Sequence, residues 1–210
     1  MRLSTSNFGL LLILLFTGSL WAKDYKQGED YFVLGNEVSK VQQITEYFSF
    51  YCPACFRQEP FMKSIKASLQ NPQAFTKVHV TKMPGRNEDS ETMLSKALIT
   101  ARLLKIEQPI VDVIFKKIHT ARAQFNSVED VKQLFTAQGI EGKEFDKAFN
   151  SFKVKVEAKR MATRTQKLRD KGYQSVPTLV INNNFIPNIK SIKTLDEYTQ
   201  LINHLLTLSE

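Results

Sequence analysis

Apolar and polar positions change rhythm along the chain. After a polar lead from Lys23, DYFVLG (30–35) reads as an edge strand closed by Gly35. KVQQITEYFSF (40–50) reads as a buried strand, β-branched and aromatic with no breaker. CFRQEPFMKSIKASLQ follows, and its Phe61, Ile65 and Leu69 recur every four residues, which predicts a helix. Pro60 lies inside it without an N–H for the carbonyl of Phe56, so a kink or break is expected there. AFTKVHVTKM (74–83) alternates well enough for another strand, and PGRNEDS is a loop.

From about Glu88 to Lys171 the rhythm is helical throughout. SETMLSKALITARLLK and PIVDVIFKKIHTARA carry apolar residues every three or four positions, with Pro109 placed as a helix start. SVEDVKQLFTAQG opens on Ser127 and Asp130 in a capping-box arrangement and closes on Gly139. GKEFDKAFN is a shorter helix, and the basic run after it completes the block. Strand rhythm returns in VPTLVINNNFIPN, with the asparagines as its turn. Thr194 and Glu197 then cap a final amphipathic helix, TLDEYTQLINHLLTL. Strand, strand, helix, strand, helical block, hairpin, helix is the order of one α/β unit with a helical insertion.

The first 22 residues stand outside this pattern. Arg2 followed by GLLLILLFTGSLWA has the charge and apolar run of a secretory signal peptide, with cleavage expected near Ala22. A membrane anchor would want a longer run, about 20 apolar residues. Cleavage leaves 188 of the 210 residues and lowers the formal charge from +8 to +7. A basic balance suits nucleic acid, anionic membrane or acidic partners, and export argues against nucleic acid. KVKVEAKRMATRTQKLRDK (153–171) carries eight basic residues against two acidic ones, and reads first as the solvated face of a long helix.

Export also places the two cysteines where thiols can oxidise. Cys52 and Cys55 sit two residues apart where a strand hands over to a helix. A closed zinc site wants four ligands, and His79, His119 and His204 are scattered singly, so no metal is expected. As a staple, a four-residue loop contributes only about 2 kcal/mol. A redox pair fits the position better. At a helix start the first sulfur meets unsatisfied N–H groups and the positive end of the dipole, which favour a thiolate at Cys52. A low-pKa thiol is also a good leaving group, so its disulfide passes readily to another protein. Cys55, one turn inside, is expected to be less exposed and to act as the resolving thiol. Pro53 suits an early helical position, where its missing N–H costs nothing.

With EYFSFYCPAC, TKVHVTKM, SVPTLVIN and KSIKTLDEYTQLINHLL, the chain resembles the DsbA-type thiol:disulfide oxidoreductases of the bacterial periplasm, over essentially all of its exported part. The resemblance implies a thioredoxin fold with an inserted helical domain: residues 23–85 and 172–210 as the two thioredoxin-like parts, 86–171 as the insertion. It further implies a cis proline, Pro177, facing the cysteines, with the backbone of Val176 binding an extended substrate segment. Glu46 matches a buried acid beneath the family's active site, and Lys77 its partner on the next strand. Glu46 is odd on its own terms, since a carboxylate inside a buried strand is costly unless paired. One position departs from the family: its best-known members have histidine next to the second cysteine, and here that residue is Ala54.

The function expected is disulfide donation from Cys52–Cys55 to reduced exported proteins, with reoxidation by a quinone-linked membrane partner of the DsbB type. The redox-active disulfide serves in place of a cofactor, and the protein is expected in the periplasm as a monomer. A dedicated-client oxidase, a thioredoxin-like reductase, a periplasmic chaperone and a copper-handling thioredoxin-fold protein are the competing readings. Loss of the histidine at residue 54 puts strong oxidant character in question more than the exchange chemistry itself.

Overall fold

The computed structural model describes residues 23–209, so the expected signal segment, residues 1–22, lies outside the described residues. Five strands form one mixed sheet in the order β1-β5-β4-β2-β3. Strand β2 (Ile44–Phe48) is central and pairs in parallel with β3 (Phe75–His79), placing Glu46 opposite Lys77. On its other side β4 (Thr178–Ile181) runs antiparallel and leads through the asparagine turn into β5 (Phe185–Pro187). Strand β1 (Tyr31–Val33) forms the edge, followed by Gly35 at φ +69°. Asn182 and Asn183 adopt positive φ in the turn, a conformation asparagine tolerates better than most residues.

Helix α1 (Pro53–Ser68) connects β2 to β3 and runs unbroken past Pro60. The expected break does not occur. Only one main-chain hydrogen bond is forfeited there, while Met62 and Ile65 beyond the proline are buried against the sheet core. The buried stripe is also shifted from the expected one. It contains Cys55, Glu59, Met62 and Ile65, while Phe61 and Leu69 are only partly buried.

Between β3 and β4 lie α2 (Glu88–Leu103), α3 (Glu107–His119), α4 (Val128–Thr136), α5 (Gly142–Phe149) and α6 (Phe152–Asp170). Helix α3 begins two residues before Pro109, which sits in the first turn, where no N–H is needed. The capping box of α4 is present, with Ser127 and Asp130 each serving the other's backbone. Helix α7 (Leu195–Thr207) closes the chain from its Thr194 cap.

Two cores result. Ile44, Met62, Ile65, Phe75, Leu179, Ile181 and the apolar face of α7 join the sheet to α1 and α7. Phe48, Phe50, Cys55, Leu98, Ile114 and Phe115 carry the sheet's other end into the helical block. The cysteines therefore belong to the second core, and most of their helix to the first.

Candidate active site

Past Phe48 the chain tightens before the helix. Tyr51 N donates to Ser49 Oγ at 3.1 Å, and Cys52 N donates to the Ser49 carbonyl at 3.0 Å. That turn leaves Cys52 extended as the cap of α1, with Pro53 as the first helical residue. The cap is made by sulfur: Cys55 N donates to Cys52 Sγ at 3.2 Å. Serine or aspartate normally fills this place, satisfying an N–H that the helix leaves open. Here the same N–H is directed at a thiol.

The electrostatics follow. A hydrogen bond from the Cys55 thiol, then the backbone N–H groups of Cys55 and Ala54 and the charge of Arg57, outweigh burial and draw the Cys52 thiol down to about 6. Cys55 is pushed the opposite way, because its proton serves Cys52 and its sulfur is fully buried. One thiol is thus prepared to ionise and the other to stay protonated. Both are free thiols in this structure.

Across from them, the Val176–Pro177 peptide is cis. The Val176 carbonyl lies 3.5 Å from Cys52 Sγ, where it accepts from the thiol. The Val176 N–H finds no acceptor among the described residues. Ala54 is half-buried against the second core, and its N–H points into the sulfur site.

Beneath Cys55 lies a buried ion cluster. Lys77 Nζ contacts Glu46 Oε2 at 2.5 Å and Glu59 Oε2 at 2.7 Å. All three residues are at most 4 % exposed, so each charge depends on its partners rather than on water. Burial works against the Lys77 ammonium, yet the two acids outweigh it and hold its pKa above the ordinary value. Burial raises Glu46, Lys77 opposes that, and Glu59 adds to it, leaving Glu46 above the usual carboxylate range. Glu46 Oε1 has no hydrogen-bond partner among the described residues. Two carboxylates thus share one ammonium, and one carboxylate oxygen stays open.

Glu59 is the residue that sequence reasoning missed. Its signal was available, because it stands four residues after Cys55 and so shares its helical face. The apolar spacing of Phe61, Ile65 and Leu69 pointed to a neighbouring stripe instead. Gln108 of α3 was missed as well, and no local pattern marks it. Its Nε2 donates to Glu59 Oε1 and to Asp112 Oδ1, each at 2.9 Å. Of the histidines, His119 bonds the Phe50 carbonyl at 2.8 Å and stacks on Phe56, tying α3 to the cysteine segment. His79 is buried beside Phe48 and Phe50, with Nδ1 on Ser95 Oγ, and burial draws its pKa down to about 3. Among the described residues no group of three or more His, Cys, Asp or Glu is placed to hold a metal ion.

Comparison with known proteins agrees with this geometry. The model of the DSBA-like thioredoxin domain family matches residues 62–200. The thiol:disulfide interchange protein DsbA of Escherichia coli (strain K12) is 29% identical over 194 residues, covering 90% of this chain and 89% of that protein. Its counterpart in Buchnera aphidicola is 26% identical over 211 residues, covering 96% of each. Among solved structures, Proteus mirabilis DsbA with a non-covalently bound peptide, PWATCDS, superposes with a TM-score of 0.76. It is 23% identical, and the match covers 89% of this chain and all of that one. A cysteine-capped helix, a facing cis proline and a helical insertion in an α/β thioredoxin fold thus coincide with a match over most of the chain: it belongs to the DSBA-like thioredoxin domain family of thiol:disulfide oxidoreductases.

Proposed function

We propose that this chain is a periplasmic disulfide donor. A substrate thiolate attacks Cys52 Sγ of the Cys52–Cys55 disulfide, forming a mixed disulfide and expelling the Cys55 sulfur, which takes a proton. A second substrate thiolate then attacks the substrate sulfur and displaces the Cys52 thiolate. The substrate leaves oxidised by two electrons, and the protein is left as the dithiol. The observation that carries this reading is the sulfur cap of α1, with Cys52 drawn down to about 6, because a stabilised thiolate is a good leaving group.

The other residues have parts in the same reading. Glu46, poised by Lys77 and Glu59, exchanges the proton of Cys55. Pro53 and Ala54 shape the turn that aims N–H groups at Cys52. The free N–H of Val176, beside Pro177, offers a strand-like hydrogen bond to an extended substrate. Residues 86–171 form an inserted domain between thioredoxin-like parts 23–85 and 172–210. Reoxidation falls to a quinone-linked membrane oxidase of the DsbB type, in which Cys52 attacks the partner disulfide and Cys55 releases it. The protein works as a monomer on reduced exported proteins and uses its own disulfide in place of a cofactor.

Equilibration with glutathione tests the direction of transfer. A potential well above that of thioredoxin, about −270 mV, is the expected result, and a value near thioredoxin's would assign the protein to reduction. With Cys55→Ser, mixed disulfides should accumulate on Cys52. Capture on Cys55 in the reciprocal Cys52→Ser variant instead would reverse the two roles.

A further inference from the structure

Strand alternation sends Glu46 to the face of the sheet that meets α1, and Thr45 and Tyr47 to the other face. On that other face the sheet and α6 do not close fully. A cavity of about 670 Å³ lies between them, with Thr45, Tyr47, Thr76 and Val180 as its floor and Arg164 and Lys167 on its α6 side. The volume falls within the range of small-molecule sites, about 300–1,000 Å³.

The floor of the cavity is partly polar. The hydroxyls of Thr45, Thr76 and Tyr47 make no hydrogen bond among the described residues, and all three open into the cavity rather than being shut off from solvent. Burial raises the Tyr47 phenol above its ordinary range, and the charge of Arg164 opposes that rise.

The charges on the α6 side are unequally available. Lys171 is committed to the Leu34 carbonyl and Asn36 Oδ1, and Asp170 accepts from Gln166 at 2.7 Å. Arg164 reaches only Glu157, at 3.7 Å, and Lys167 makes no ion pair among the described residues. Two cations therefore stand over three unused hydroxyls, while Val180, Leu168 and the Tyr47 ring give the cavity an apolar surface.

We propose that this cavity binds a small organic anion, a carboxylate with a short apolar body. Arg164 and Lys167 hold the carboxylate, since a guanidinium presents a planar fork that matches it. The hydroxyls supply further hydrogen bonds, and the apolar part lies on Val180 and Leu168. An inorganic anion would satisfy the cations but leave the apolar surface unused. The site is on the opposite side of β2 from the Glu46 cluster and takes no part in disulfide exchange.

Titration of the reduced, exported protein with sodium hexanoate tests this, read by calorimetry and by amide shifts at fixed ionic strength. Hexanoate should shift the amides of Thr45, Tyr47, Thr76 and Val180. Hexanamide should bind at least tenfold more weakly. Arg164→Gln should weaken hexanoate about tenfold, the scale of one charge-assisted hydrogen bond. Tyr47→Phe, which keeps the ring, should weaken it about threefold. Both variants should retain wild-type disulfide exchange, which reports an intact fold. Absence of shifts at those amides overturns the proposal. So does equal binding of hexanamide, or competition by inorganic phosphate as effective as hexanoate itself.

Discussion

Gln108 of α3 donates to Glu59 of α1 at 2.9 Å, so the helical block touches the buried acids beneath the cysteines directly. Replacing Gln108 by Leu strands Glu59 Oε1 without that donor. An unsatisfied buried acceptor costs about 1–3 kcal/mol, and urea unfolding of the reduced protein should show a loss of that size. A midpoint unchanged from wild type would mean that water donates to Glu59 Oε1 in place of the amide.

The Cys52 thiol sits near 6 against an ordinary value of 9.0, while Cys55 stays protonated. Folded-state depression means that the thiolate stabilises the reduced fold fully above the ordinary thiol pKa. That contribution shrinks as pH falls and is lost below about 6. Reduction of the disulfide therefore takes up two protons below that point and one above it. The potential should fall by about 59 mV per pH unit on the acid side and about 30 mV on the alkaline side. A titration against glutathione from pH 4.5 to 8 measures both slopes, and a single slope across that range would place the Cys52 pKa elsewhere.

Glu46→Gln should slow the attack of Cys55 on a mixed disulfide about a hundredfold, the low end for a positioned general base. Cys52 should keep its pKa near 6, because the forces that set it come from the helix start. Stopped-flow resolution of a Cys52 mixed disulfide reads the first quantity and thiolate absorbance the second. An unchanged resolution rate would remove Glu46 from the proton path.

Ala54→His adds an imidazole beside the N–H groups that already serve Cys52. Donation or positive charge from it should lower the Cys52 pKa further. Each pKa unit is worth about 1.4 kcal/mol, or about 30 mV for a two-electron couple. The potential should rise by tens of millivolts, and the oxidised form should lose stability relative to the reduced form. A variant with both quantities unmoved would show that residue 54 does not influence the sulfur.

Much of this was legible along the chain because it depends on neighbours. Ser127 and Asp130 form their box within four residues, Thr194 caps its own helix, and the asparagine turn lies within one hairpin. Cys52 and Cys55 announced their chemistry through spacing and a preceding strand. Glu46 was legible as an anomaly, a charge in an apolar run. Boundaries were less so: the strand expected over 40–50 pairs only from Ile44 to Phe48. Pro60 misled because a local rule forbids what Met62 and Ile65 stabilise through burial. Gln108 was out of reach, since its contact with Glu59 spans 49 residues and needs the folded helices to exist.

Helix α1 begins in one core and ends in the other, so it behaves as a mechanical splice between the two halves of the molecule. Slack introduced on either side is transmitted along a single rod to its tip, where the two sulfurs are held. A void opened at Phe115, some sixty positions further along the chain but in the same core as Cys55, would then alter thiol reactivity as well as melting temperature. Robustness of the redox centre is, in this architecture, a property of the whole interior rather than of the four-residue motif.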